Sequence, residues 1–181
     1  MRGTIILSIV AISGCASSSG ARGTPTSDET VRIVGARETI ELRTSATVTA
    51  SLDTLFAPLD QVWRALPAAY EALAIRVTDL DSANHVIANS GLIVRRQLGK
   101  VALTRYLDCG DSQGVPSAET YEIRLSVLTR LQASAAGTSI VATSVQATGR
   151  PVSVSGMDVR CSSTRQLESR LVNALRAQLQ R

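Results

Sequence analysis

Aromatic side chains are scarce in this chain of 181 residues: one Phe, one Trp and three Tyr make up 3% of it. A core built from it must be mostly aliphatic, and little is on hand to stack on nucleic-acid bases. Histidine is rarer still, with His85 alone. A Ser-His-Asp arrangement would need that one imidazole as its base, and no GxSxG nucleophile elbow accompanies it. His85 stands in Ala83-Asn84-His85-Val86-Ile87, at the start of an expected strand, where an edge or turn role is the ordinary one. The phosphate cradles GxxxxGK(S/T) and GxGxxG are absent as well. Asp79 with Asp81 and Asp108 with Asp111 are paired carboxylates, but the further oxygen ligands of a calcium loop do not follow them, and Asp at turns is common. No catalytic residue, metal or cofactor is therefore expected. Nor is there a run of about 20 apolar residues, the length a membrane-spanning helix needs.

What is present excludes disorder. Hydrophobic residues are 44% and charged residues 19%, whereas disordered chains combine low hydrophobicity with high charge. Lys and Arg number nineteen against fifteen Asp and Glu, a net +4, and Lys100 is the only lysine. The arginines are dispersed, with Arg95-Arg96 the only pair. Dispersed arginines read as solvated surface with at most mild attraction to anionic headgroups or envelope polymers, and no nucleic-acid partner is expected.

The most informative segment is the first fifteen residues. Arg2 is followed by an apolar run from Ile5 to Ile12 and then by Ser13, Gly14 and Cys15. A short basic start, an apolar stretch of about 7 to 15 residues and small residues at a cleavage point describe a secretory signal. Here the signal ends on cysteine, and Ile12-Ser13-Gly14-Cys15 resembles the bacterial lipobox. That resemblance implies removal of residues 1–14, lipidation of Cys15, palmitate among the acyl chains, and a membrane partner reached through them. Each buried CH₂ contributes about 0.8 kcal/mol, so three chains anchor essentially permanently. Ala16 stands where Asp would favour inner-membrane retention in such lipoproteins, so the resemblance implies the outer membrane, facing the periplasm. Residues 15–30, rich in Ser, Thr and Gly, form a flexible tether of roughly 20 Å end to end.

Residues 31–45 read as short strands or linker, with Val31 to Val34 and Thr39 to Arg43 flanking Gly35. Residues 46–181 read as one α+β domain. Alternation predicts a strand over Ala46 to Thr54. Leu59, Val62, Trp63, Leu66, Tyr70 and Leu73 recur at helical spacing after Pro58, which suits a first turn. Pro67 is expected to kink that helix or break it in two. Runs at Ile75 to Leu80, His85 to Asn89, Ile93 to Leu98 and Val101 to Leu107 read as strands, with a turn at Gly99-Lys100. Thr120 to Leu131 and Thr138 to Thr148 are the clearest antiparallel pair, joined through Ala135-Ala136-Gly137. A final helix spans Thr164 to Leu179 with a capping box from Ser163 to Gln166. The expected fold class is α+β, an antiparallel sheet packed against a C-terminal helix and a kinked first helix.

The stretch Leu55-Phe56-Ala57-Pro58-Leu59-Asp60-Gln61-Val62-Trp63-Arg64-Ala65-Leu66, between a first strand and antiparallel strands that close in a C-terminal helix, resembles the opening of helix-grip domains. Those include START-like carriers of lipids and a lipoprotein component of the outer-membrane β-barrel assembly machinery. The resemblance spans residues 46–181 in element order and about twelve residues in motif. It implies a non-enzymatic binding or structural module with an envelope protein as partner, or a carrier of a hydrophobic ligand. The two differ in core filling, since inward-facing Ala102, Ala142 and Ala147 would leave room for a ligand.

With Cys15 given to lipid, Cys109 and Cys161 remain, and an exported compartment is oxidising. A disulfide between them is the natural reading. Its loop would stabilise by at most roughly 4 kcal/mol in the chain-entropy model.

Overall fold

A computed structural model describes residues 50–135, 137–152 and 156–181, and the backbone of 31–34 and 39–42. Strands β1 (Val31–Val34) and β2 (Thr39–Leu42) pair antiparallel, as the sequence suggests. The signal, the lipobox with Cys15, the tether and residues 46–49 of the expected first domain strand lie outside the described residues.

The domain is α+β. Strand β3 (Ser51–Leu55) leads into helix α1 (Leu59–Ala72). Pro58 caps the helix start, its carbonyl accepting from the Gln61 and Val62 N–H groups. Val62, Leu66, Ala69 and Tyr70 form the buried stripe. Pro67 does not break the helix into two. It removes one N–H that would bond the Trp63 carbonyl, but it sits on the exposed face while the buried stripe on the other side holds both halves to the core.

α1 ends in a Schellman motif without glycine. Ala74 takes a left-handed conformation (φ 59°), its N–H bonds Glu71 O, and the Ile75 N–H reaches back to Tyr70 O. This ending consumes residues expected to begin a strand, so β4 is only Asp79–Asp81. The next two expected strands are one, β5 (Val86–Arg95). The Asn-Ser-Gly stretch that reads as a break is absorbed as a bulge, with Ser90 and Gly91 opposite Ser126 alone.

Beyond β5, β6 (Gln97–Leu98) and β7 (Val101–Ala102) form the expected turn at Gly99-Lys100. The expected Val101 to Leu107 strand is instead divided by a 3₁₀ turn at Leu103–Arg105, after which comes β8 (Leu107–Asp108). A small hairpin of β9 (Asp111–Ser112) and β10 (Val115–Pro116) and a single turn of helix, α2 (Ser117–Thr120), lead to the two long strands β11 (Glu122–Ala133) and β12 (Ser139–Arg150). These pair along their whole length, close to the expected bounds. Strand β13 (Val159–Ser163) and helix α3 (Gln166–Leu179) complete the chain.

Sheet order is β7-β6-β5-β11-β12-β13-β8, with β4 beside β5 and β3 beside β12. Ala102 and Leu107 are five residues apart, at most about 18 Å of chain, whereas six strand spacings would separate β7 from β8 by about 29 Å in a flat sheet. The sheet therefore curls, bringing its two ends together. The chain that joins them, with Leu103, Tyr106 and Leu107, belongs to the core, so the curl closes on the helix side.

That concave side holds the core. Ile123, Leu125, Val127 and Leu131 of β11, Val141 and Ala147 of β12 and Ile87 of β5 face α1 and α3, which pack against each other. Among the described residues, the buried core runs from Leu55 to Leu175. No helix among the described residues is long and apolar enough to cross a membrane.

Candidate functional site

The paired cysteines lie where the sheet closes on itself. Cys109 follows β8 and Cys161 lies in β13, both buried, with their sulfurs at disulfide distance, 2.03 Å apart. β8 pairs with β13 through Ser162↔Asp108 and Ser163↔Leu107. Next to them the Thr164 N–H donates to Tyr106 O (2.9 Å) and the Thr164 hydroxyl to Arg105 O (2.6 Å). The Arg170 guanidinium lies 5.9 Å from the centre of the Tyr106 ring. The segment that crosses from β7 to β8 is thus fastened to the start of α3 by a covalent bond, a strand pair and two hydrogen bonds.

The start of α3 departs from the expected capping box. Arg165 is the cap residue, left-handed at φ 68°. Its N–H donates to the Ser163 hydroxyl (3.0 Å), which donates in turn to Glu168 Oε1 (2.7 Å). Glu168, not Gln166, is the acceptor, reached through the Ser163 hydroxyl rather than directly. The sequence places Glu168 off the apolar stripe, but it is 1% exposed, and its other oxygen has no hydrogen-bond partner among the described residues.

A second buried polar group crosses the core. The Tyr70 hydroxyl donates to Thr129 Oγ1 (2.9 Å), with Ile87 O 3.3 Å away, and Thr129 and Thr143 share a hydrogen bond (3.1 Å). Burial pushes the Tyr70 pKa well above the ordinary tyrosine value, against a smaller lowering by its bond to Thr129. Tyr70 is therefore a neutral donor at any ordinary pH. It ties α1 to the middle of the sheet.

The residues weighed for chemistry are dispersed. His85, in a left-handed turn (φ 51°), sets its ring edge-on to Trp63 at 5.4 Å between centroids, and its carbonyl accepts from the Leu131 N–H. Asp81 organises the same turn, accepting from the Ala83 and Asn84 N–H groups and from the Asn84 side chain. Those bonds, the Asn84 side chain foremost, hold its carboxyl below the usual Asp range. Asp79 accepts from the Thr78 and Ser90 hydroxyls, and Asp108 from the Gly110 N–H. Among the described residues no three His, Cys, Asp or Glu side chains gather to hold a metal.

Of the three alanines that were to mark a cavity, only Ala147 faces the core. Ala142 lies on the other face of β12 and Ala102 is exposed. Tyr70, Tyr106, Leu66, Ile75, Leu103 and Leu171 are among the large side chains that fill the concave side completely enough to be fully buried.

The convex face carries a grouping that the linear sequence disguises. Its registers place Arg95, Glu122 and Arg150 in one row across β5, β11 and β12, and Ile93, Arg124, Thr148 and Arg160 in the next row across β5, β11, β12 and β13. All four arginines are exposed. Strand parity alone would place Arg124 and Arg150 on this face; the bulge in β5 hides Arg95. Comparison of the sequence with protein-family models and with curated proteins finds no match.

Proposed function

We propose that this chain is a cell-envelope lipoprotein, anchored in the outer membrane through acyl chains on Cys15 and facing the periplasm, whose domain is a non-enzymatic binding or structural module. The observation that carries this reading is Ile12-Ser13-Gly14-Cys15 directly after an apolar run of signal length. The buried Cys109–Cys161 pair supports it, because stable disulfides belong to oxidising, exported compartments. The resemblance to helix-grip domains fits a curled antiparallel sheet gripping α3. The filled concave side favours a module that works through its surface over a carrier of a hydrophobic ligand.

Radiolabelled palmitate should enter the chain, and Cys15→Ala should abolish labelling and leave any membrane association releasable by about 1 M salt. A Cys15→Ala chain that is processed and stays with the membrane unchanged in high salt would refute the anchor. Native mass spectrometry of the purified chain separates the two module readings: a co-purifying protein supports the binding module, a co-purifying lipid the carrier.

A further inference from the structure

We infer that the convex end of the sheet bearing Arg95, Arg124, Arg150 and Arg160 is a docking surface for a bilayer that contains anionic phospholipid. This goes beyond the lipid anchor and does not depend on it, since it rests on described residues alone.

Residues 50–181 contain fourteen Arg and Lys against eleven Asp and Glu, an excess of three. The two rows hold four arginines and one acid, Glu122, with Arg96 in the adjoining turn and Asp158 just before β13. Among the described residues, Arg150 alone of these meets an acid, Asp158 at 3.8 Å. Directly opposed side chains in a sheet stand about 5 Å apart and diagonal ones about 7–8 Å. Arg124 is diagonal to both Arg95 and Arg150, and Arg150 to Arg160, so each arginine lies within about one Debye length of the next. Guanidinium also matches phosphate oxygens two at a time.

Apolar side chains support the same surface independently of its charge. Ile93 lies directly opposite Arg124 and is 55% exposed. Val152, two residues beyond Arg150, is 47% exposed, and Met157, beside Asp158, is 89% exposed. Three exposed apolar side chains around a cationic group are the chemistry of the headgroup boundary, where apolar groups enter and cations stay with the phosphates. No aromatic side chain stands on these rows to stack on bases.

The test uses residues 16–181 made without acyl chains, which retain every described core residue, and flotation with vesicles of phosphatidylcholine alone or with about a third phosphatidylglycerol. The chain should float with the anionic vesicles only, and about 1 M salt, with a Debye length near 3 Å, should release it. Each cation near such a surface contributes about fivefold. Arg124→Gln should therefore weaken partitioning about fivefold, and Arg95→Gln with Arg124→Gln, Arg150→Gln and Arg160→Gln at least tenfold. A charge-matched control, Arg64→Gln with Arg105→Gln, Arg165→Gln and Arg181→Gln, should stay within about twofold of the parent; circular dichroism checks that each variant is folded. Equal binding to neutral vesicles, an equal loss in the control, or displacement by inorganic phosphate at constant ionic strength would each overturn the inference.

Discussion

Thr129 sits at the centre of the only buried hydroxyl chain described in the core, receiving the Tyr70 proton and sharing a bond with Thr143. It looks wasteful to bury three hydroxyls in an aliphatic interior, but each has a partner, and a paired group contributes while an orphan costs. Thr129→Val keeps the shape and removes the shared partner, so it should destabilise by about 1–3 kcal/mol in urea unfolding. Tyr70→Phe with Thr129→Val should cost less than the sum of the single changes, because the double variant no longer holds a Tyr70 hydroxyl deprived of Thr129. Strict additivity would contradict this account. Nothing in the sequence announces the chain: Thr129 and Thr143 satisfy the same β-branched alternation as Val, and only the register brings them level with Tyr70. Glu168 was equally hidden, since an acid just inside a helix start reads as a solvated dipole partner and its burial follows from how α3 is fastened down.

At the scale of elements, the crossing from β7 to β8 is the part that depends most on a staple. It and the stretch that follows to Thr120 are built from two-residue strands, a 3₁₀ turn and one turn of helix, none of which is stable alone. Cys109→Ala with Cys161→Ala should lower unfolding free energy by about 2–4 kcal/mol. Hydrogen exchange should show amides of residues 103–120 losing protection first, while β11 and β12 keep theirs. An unchanged unfolding midpoint would contradict that role. The long elements were legible in the sequence because each carries an unbroken period: two for β11 and β12, 3.6 for α1 and α3. Misreadings arose where local chemistry and tertiary context part. Pro67 signals a break, yet the buried stripe holds α1 together. Ala74 occupies a left-handed cap that usually takes Gly, so the helix end was invisible and a strand was begun too early. Ser90-Gly91 looks like a boundary and is a bulge.

For the molecule as a whole, the curl of the sheet divides labour between its faces. The concave side is consumed in holding α1 and α3, which leaves the convex side and the loops around it for contacts. The dispersed arginines read at first as ordinary solvated surface; folding collects four of them on one convex end, and only β-register could reveal that. The proposed place in the cell is the reverse case: it rests on four residues near the N-terminus and on no element of the fold. The central claim, an envelope lipoprotein held by Cys15, is tested most directly by mass spectrometry of the N-terminal peptide of the membrane-extracted protein. The account predicts a peptide that begins at Cys15 and carries the mass of a thioether-linked diacylglyceryl group and an N-acyl chain. An N-terminal peptide that begins at another residue, or an unmodified Cys15, would contradict it.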